Sequence, residues 1–85
     1  MNGRKTVPLS LIKIGEEATV SAIALKPADR RRLTELGFGV GERVGCVGKS
    51  ALGDPRAYIS RGRTVAFRSR DAINILCTIG DKNDA

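Results

Sequence analysis

The run Arg31-Arg32-Leu33-Thr34-Glu35-Leu36-Gly37-Phe38-Gly39-Val40-Gly41-Glu42-Arg43-Val44 passes from a helical pattern to a strand pattern through alternate glycines. Leu33 and Leu36 share one face of a helix that Pro27 or Asp29 can start, and Gly37 supplies a left-handed stop. A helix from Pro27 to Leu36 is too short to hold by itself in water, so its two leucines must rest on something else. Gly37, Gly39 and Gly41 make a tight, irregular turn. Glu42 to Lys49 then reads as a strand, with Val44 and Cys46 on one face and Val47 on the other.

Working upstream, Glu16 to Leu25 is rich in small and β-branched residues. Val20 and Ile23 are its inward anchors, and their spacing of three breaks alternation and implies a bulge. Leu9, Leu11, Ile12 and Ile14 form one apolar turn laid across the fold and closed by Gly15. Residues 1–8 are polar and basic, end in Pro8, and read as a flexible lead. Downstream, Gly53-Asp54-Pro55 is a turn, and Tyr58 to Val65 is a hairpin turned at Arg61-Gly62-Arg63, with Phe67 continuing its second arm. Ser69 to Ala72 is a short turn, Ile73 to Ile79 the closing strand, and 80–85 a polar tail. About five short strands and one short α-helix make the expected fold mainly β. Tight connections favour a small barrel over an open sheet, with one domain over residues 9–79.

Composition narrows the functions available. At 85 residues there is room for one domain. Such a domain buries only ~60–65% of the surface of its unfolded chain, leaving little for a deep cleft. The chain is 41% apolar and 28% charged, the balance of a folded protein. Its longest apolar run, Ala22 to Leu25, falls far short of the ~20 residues of a spanning helix. No apolar stretch follows the basic start, so a signal peptide is not expected and the location is read as cytoplasmic. Cys46 and Cys77, each flanked by apolar residues, read as reduced thiols in the core, with a disulfide or metal pair as the alternative.

The net charge of +6 suits nucleic acid, an anionic membrane or an acidic protein face. Aromatics are 4% of the chain, too few for stacking bases, so nucleic acid is not expected. Histidine is absent, and with it the commonest general base near neutral pH. Glu16 and Glu17 are adjacent on a strand and point to opposite faces. The glycines 37, 39 and 41 lack the following helix of a phosphate loop. No enzyme is expected.

The ordered set Arg31-Arg32-Leu33-x-x-Leu36-Gly37-Phe38-x-x-Gly41-x-x-Val44, Leu52-Gly53-Asp54-Pro55, Arg61-Gly62 and Val65-Ala66-Phe67-Arg68 resembles the FeoA family of ferrous iron transport protein A. Leu9-Ser10-x-x-x-x-Gly15 fits as well, so the likeness runs from about Leu9 to Cys77. No single piece is specific; their order is. The resemblance implies an SH3-like barrel, a fold shared with a module of iron-dependent repressors. It also implies a cytoplasmic accessory protein of bacterial ferrous iron uptake, with transition metal ion binding at family level. Such a protein acts on the cytoplasmic, GTPase-containing part of the ferrous iron transporter and meets the inner face of the membrane only through that partner. The sequence departs from the family at Arg56 and Ser60, where aliphatics are usual. Either Tyr58 carries the inward packing and Ile59 lies outward, or the strand register slips by one.

Candidate partner-binding residues are Arg31, Arg32, Glu35, Asp54, Pro55, Ile59 and Arg61. Arg30, Arg31 and Arg32 span ~200° of a helix and cannot all meet one small partner. They are either a solvated face, with Arg31 paired to Glu35 for ~0.3–0.5 kcal/mol, or a surface for carboxylates. Arg56, Arg63, Arg68 and Arg70 extend the basic area. Asp54 either caps loop amides or touches the partner. No cofactor and no built metal site are expected; a divalent ion held by Asp54 or Glu35 together with a neighbouring molecule would be adventitious. The chain is expected as a monomer or weak homodimer. Two other functions remain open: a small basic nucleic-acid-binding barrel and a stand-alone metal-sensing SH3-like module.

Overall fold

The computed structural model describes residues 5–80. Its elements are β1 (Lys5–Pro8), a 3-10 turn (Leu9–Leu11), β2 (Glu17–Ile23), α1 (Pro27–Glu35), β3 (Arg43–Lys49), β4 (Arg56–Ser60), β5 (Arg63–Phe67), α2 (Ser69–Ala72) and β6 (Ile75–Ile79). The six strands form one sheet in the order β1-β6-β2-β3-β4-β5, and every neighbouring pair is antiparallel. Bulges between Val20 and Ala22 and between Cys46 and Gly48 bend it, since an extra residue on one strand increases local twist. The inward residues Val20, Val44, Cys46, Tyr58, Ile75 and Cys77 are all but fully buried in one cluster. Val7 of β1 and Val65 of β5, from opposite ends of the sheet, pack on that same cluster. The sheet is therefore curled around its core, mainly β and of the SH3-like kind.

Helix α1 has Pro27 at its first position, where a missing N–H costs nothing. Its end is a Schellman arrangement around Gly37, whose φ is +93°. The N–H of Phe38 bonds the Leu33 carbonyl at 2.8 Å, and that of Gly37 bonds Thr34 at 3.1 Å. Leu33 and Phe38 both belong to the buried core, so the stop that ends the helix also plants the largest apolar side chain of the turn. Beside it, a Cβ on Gly39 would lie 2.9 Å from the Thr34 hydroxyl, so the chain can cross the helix there only as glycine.

The structure corrects the sequence reading in several places. Residues 5–8 of the supposed flexible lead are a sixth strand, with Lys5 to Pro8 paired to Ile79 through Leu76. Strand neighbours, not local pattern, make it: a polar tetrapeptide becomes β when an apolar partner strand offers its edge. The apolar turn divides, with Leu9 and Ile12 buried and Leu11 and Ile14 exposed. The closing strand starts at Ile75 because Ser69–Ala72 is a helical turn that carries on into Ile73 and Asn74. On β4, Tyr58 and Ser60 are buried while Ile59 lies over Gly45 on the other face, so the register does not slip. The parts of the lead and tail at residues 1–4 and 81–85 lie outside the described residues.

Because Gly37 sits in left-handed backbone with Arg61 methylenes 3.4 Å from where a Cβ would be, Gly37→Ala should destabilise the fold by about 1–2 kcal/mol. In urea unfolding its midpoint should fall with an unchanged slope.

Candidate functional site

Arg31, Arg32 and Glu35 are exposed on α1. The anticipated Arg31–Glu35 pair does not form; among the described residues the ion pairs are Arg43 with Glu17 and Arg61 with Glu42. Arg61 sits in the two-residue turn of the β4–β5 hairpin, where both it (φ 55°) and Gly62 (φ 78°) take positive φ. That is the type I′ geometry matched to strand twist. The turn lies against the end of α1: Arg61 runs beside Gly37, the Ser60 hydroxyl donates to the Gly37 carbonyl, and the Arg61 guanidinium donates to Glu42 at 3.2 Å. Helix end and hairpin tip are thus one surface, bringing Arg61 to the helix that bears Arg31, Arg32 and Glu35.

Asp54 and Pro55 stand apart from that surface. The Asp54 carboxylate accepts the Ser69 N–H at 2.9 Å, capping the first turn of α2. Its work here is to hold α2, one of the two roles its sequence context allowed. Arg56, a departure from the family pattern, donates to the Ile12 carbonyl at 3.0 Å and anchors the apolar turn.

A groove of about 430 Å³ lies between α1 and β5. Leu33 of α1 and Leu36 just after it line one side, Val65 and Phe67 of β5 another, and the fully buried Ile75 lies deeper. Asp29, Arg32 and Asp71 stand along its rim. Its apolar residues come from α1 and its flanks, β5 and β6, distant in sequence, so no local pattern announces it; the nearest signal is Val65-Ala66-Phe67 between arginines. Of the candidate residues, Arg32 alone lines it. Among the described residues, no three Cys, Asp or Glu side chains gather as a metal-holding group. No helix described is long and apolar enough to cross a membrane.

Both cysteines are free thiols buried in the core. Burial pushes the Cys77 thiol up to about 11 from 9.0. Burial, with the Cys46 sulfur adding to it, raises the Tyr58 phenol to about 12 from 10.0. Neither group is poised for chemistry near neutral pH.

The FeoA domain profile matches residues 7–79. The chain belongs to the FeoA family. That family is associated with ferrous iron transport. Among solved structures, the FeoA protein from Chlorobium tepidum is 34% identical with a TM-score of 0.80, over 86% of this chain and 70% of that one. The zinc complex of FeoA from Stenotrophomonas maltophilia is described as an SH3 domain protein possibly acting as a ferrous iron transport activating factor. It is 31% identical with a TM-score of 0.67, over 91% and 92% of the two chains. A manganese-dependent transcriptional repressor, 19% identical, shares the fold alone, with a TM-score of 0.74 over 85% of this chain and 40% of that one. Comparison with curated proteins gives no match.

The two raised pKa values fix the sign of the alkaline response. Below pH 9 both groups are protonated in folded and unfolded chains alike, and their contribution is intact. Between pH 9 and 11 the unfolded chain releases the Cys77 proton that the native state keeps, so stability falls as pH rises; Tyr58 adds to the fall from pH 10 to 12. Urea titrations at stepped pH should show this decline, and Cys77→Val should flatten its first part.

Proposed function

We propose that this chain is an accessory protein of bacterial ferrous iron uptake that docks onto the cytoplasmic, GTPase-containing part of the ferrous iron transporter. The observation that carries this reading is the FeoA match over nearly the whole domain, on a barrel whose core is filled by apolar side chains and whose surface bears a groove between α1 and β5. Work is left to the exterior. The joined surface of α1 and the hairpin tip presents Arg31, Arg32 and Arg61, with Arg32 on the rim of a groove floored by apolar side chains, an arrangement in which charge guides encounter and apolar contact sets residence. Glu35 shares α1 with the two arginines, while Ile59, Asp54 and Pro55 lie away from this surface. In this reading the protein holds no cofactor of its own, works in the cytoplasm, and reaches the membrane only by holding its partner.

Calorimetry against the transporter's purified cytoplasmic domain tests it. Binding is expected at moderate salt and should weaken as salt rises. Reversing charge in R31E/R32E, on exposed positions that leave the core untouched, should lower affinity about tenfold. Absence of heat at high micromolar concentration, with both proteins folded, would overturn the reading.

A further inference from the structure

We propose that β5 is an open docking edge that accepts an extended peptide as a further strand, acidic at its ends and apolar at its centre. The inference rests on the reading of the chain as a docking module and specifies how the partner is held.

Strand β5 closes the sheet order, with β4 on one side only. The phase of its ladder is set by the hairpin. A two-residue turn is closed by a bonded pair, here Ser60 with Arg63, so Tyr58 with Val65 and Arg56 with Phe67 are bonded pairs too. Thr64 and Ala66 therefore project their N–H and C=O away from β4. Among the described residues neither has a backbone partner outside the ladder. A chain laid beside β5 would satisfy both.

The free edge opens onto the apolar groove, which Ala66 lines together with Val65, Phe67, Leu33 and Leu36. Its volume of about 430 Å³ falls in the ~300–1,000 Å³ range of ligand-sized clefts. One large aliphatic or aromatic side chain from the added strand would enter it, while alternate residues face solvent. Asp29 and Asp71 on the rim require the centre of that peptide to be uncharged.

Charge selects the occupant. Arg61 and Arg63 stand at one end of β5, Arg68 and Arg70 at the other, all exposed, with no carboxylate between residues 60 and 70. Only Arg61 has an acidic partner among the described residues. A second copy pairing antiparallel through the same edge would bring the arginines of one end against those of the other, a repulsive match. Carboxylates at both ends of the incoming strand reverse that sign. The opposite edge is less suited: β1 has four residues and ends in Pro8, which has no N–H to give.

The probe is a synthetic peptide, acetyl-Asp-Glu-Val-Leu-Val-Glu-Asp-amide, with a lysine-ended counterpart and a version N-methylated at alternate nitrogens. Titrated into the isotope-labelled full chain, the acidic peptide should shift the Thr64 and Ala66 amide signals. It should bind at least tenfold tighter than either control. Unmoved amides at millimolar peptide, or equal binding by the N-methylated form, would overturn the proposal. Ala66→Pro removes only an outward N–H, and its spectrum reports whether it folds. If folded Ala66→Pro binds the transporter domain as well as the unmodified chain does, strand addition fails while docking stands. If the acidic peptide binds as described but the transporter domain does not, the edge site stands and that choice of partner fails.

Discussion

Phe38, Tyr58 and Phe67 are the chain's only aromatic residues, and they meet at the point where helix, turn and hairpin converge. Phe38 stands edge-on to Phe67 at 5.2 Å, and Tyr58 lies tilted against Phe67 at 5.9 Å. Such pairs contribute about 0.5–1.5 kcal/mol each beyond the area they bury. Phe38 comes from the residue after the helix stop, Tyr58 from the middle of β4, and Phe67 from the end of β5. The contact therefore ties the α1 terminus to both arms of the hairpin. Gly37 is what lets Phe38 turn inward, and the Ser60 bond to the Gly37 carbonyl holds the two sides at fixed distance.

That arrangement accounts for where function resides. Leu9, Ile12, Val20, Val44, Ile75 and the two thiols fill the remaining interior, and burial moves the Cys77 thiol and the Tyr58 phenol further from neutral pH. Phe67 has two roles at once: its ring belongs to the aromatic cluster, and its strand forms a wall of the surface groove. The same packing that keeps the barrel folded holds β5 in place, with one side unpaired. Recognition at such an edge draws on backbone hydrogen bonds already oriented by the ladder to β4.

Much of this architecture is legible in the sequence because it is local. The helix stop at Gly37, the turn at Arg61-Gly62 and the bulge implied by Val20 and Ile23 each follow from a few neighbouring residues, and each has its counterpart in the coordinates. The fold class and the family followed from the order of those signals. What could not be read depends on partners distant in the chain. Lys5–Pro8 is a strand only because β6 lies beside it, and the second bulge, at Cys46 and Gly48, arises from fitting β3 to β4. The candidate residues Arg31, Arg32, Glu35 and Arg61 were visible as charges. The groove beside Arg32 needed Leu33, Val65 and Ile75 to be brought together from three parts of the chain.

The central claim is that the outer surface formed by α1 and the free edge of β5 is where this FeoA-family chain meets its partner. Amide hydrogen exchange of the chain, alone and bound to the transporter's cytoplasmic domain, addresses it most directly. The account requires new protection at Thr64 and Ala66, with lesser slowing along α1 and little change at β1. Protection gathered on β1 and β6, with β5 exchanging as in the unbound chain, would contradict it.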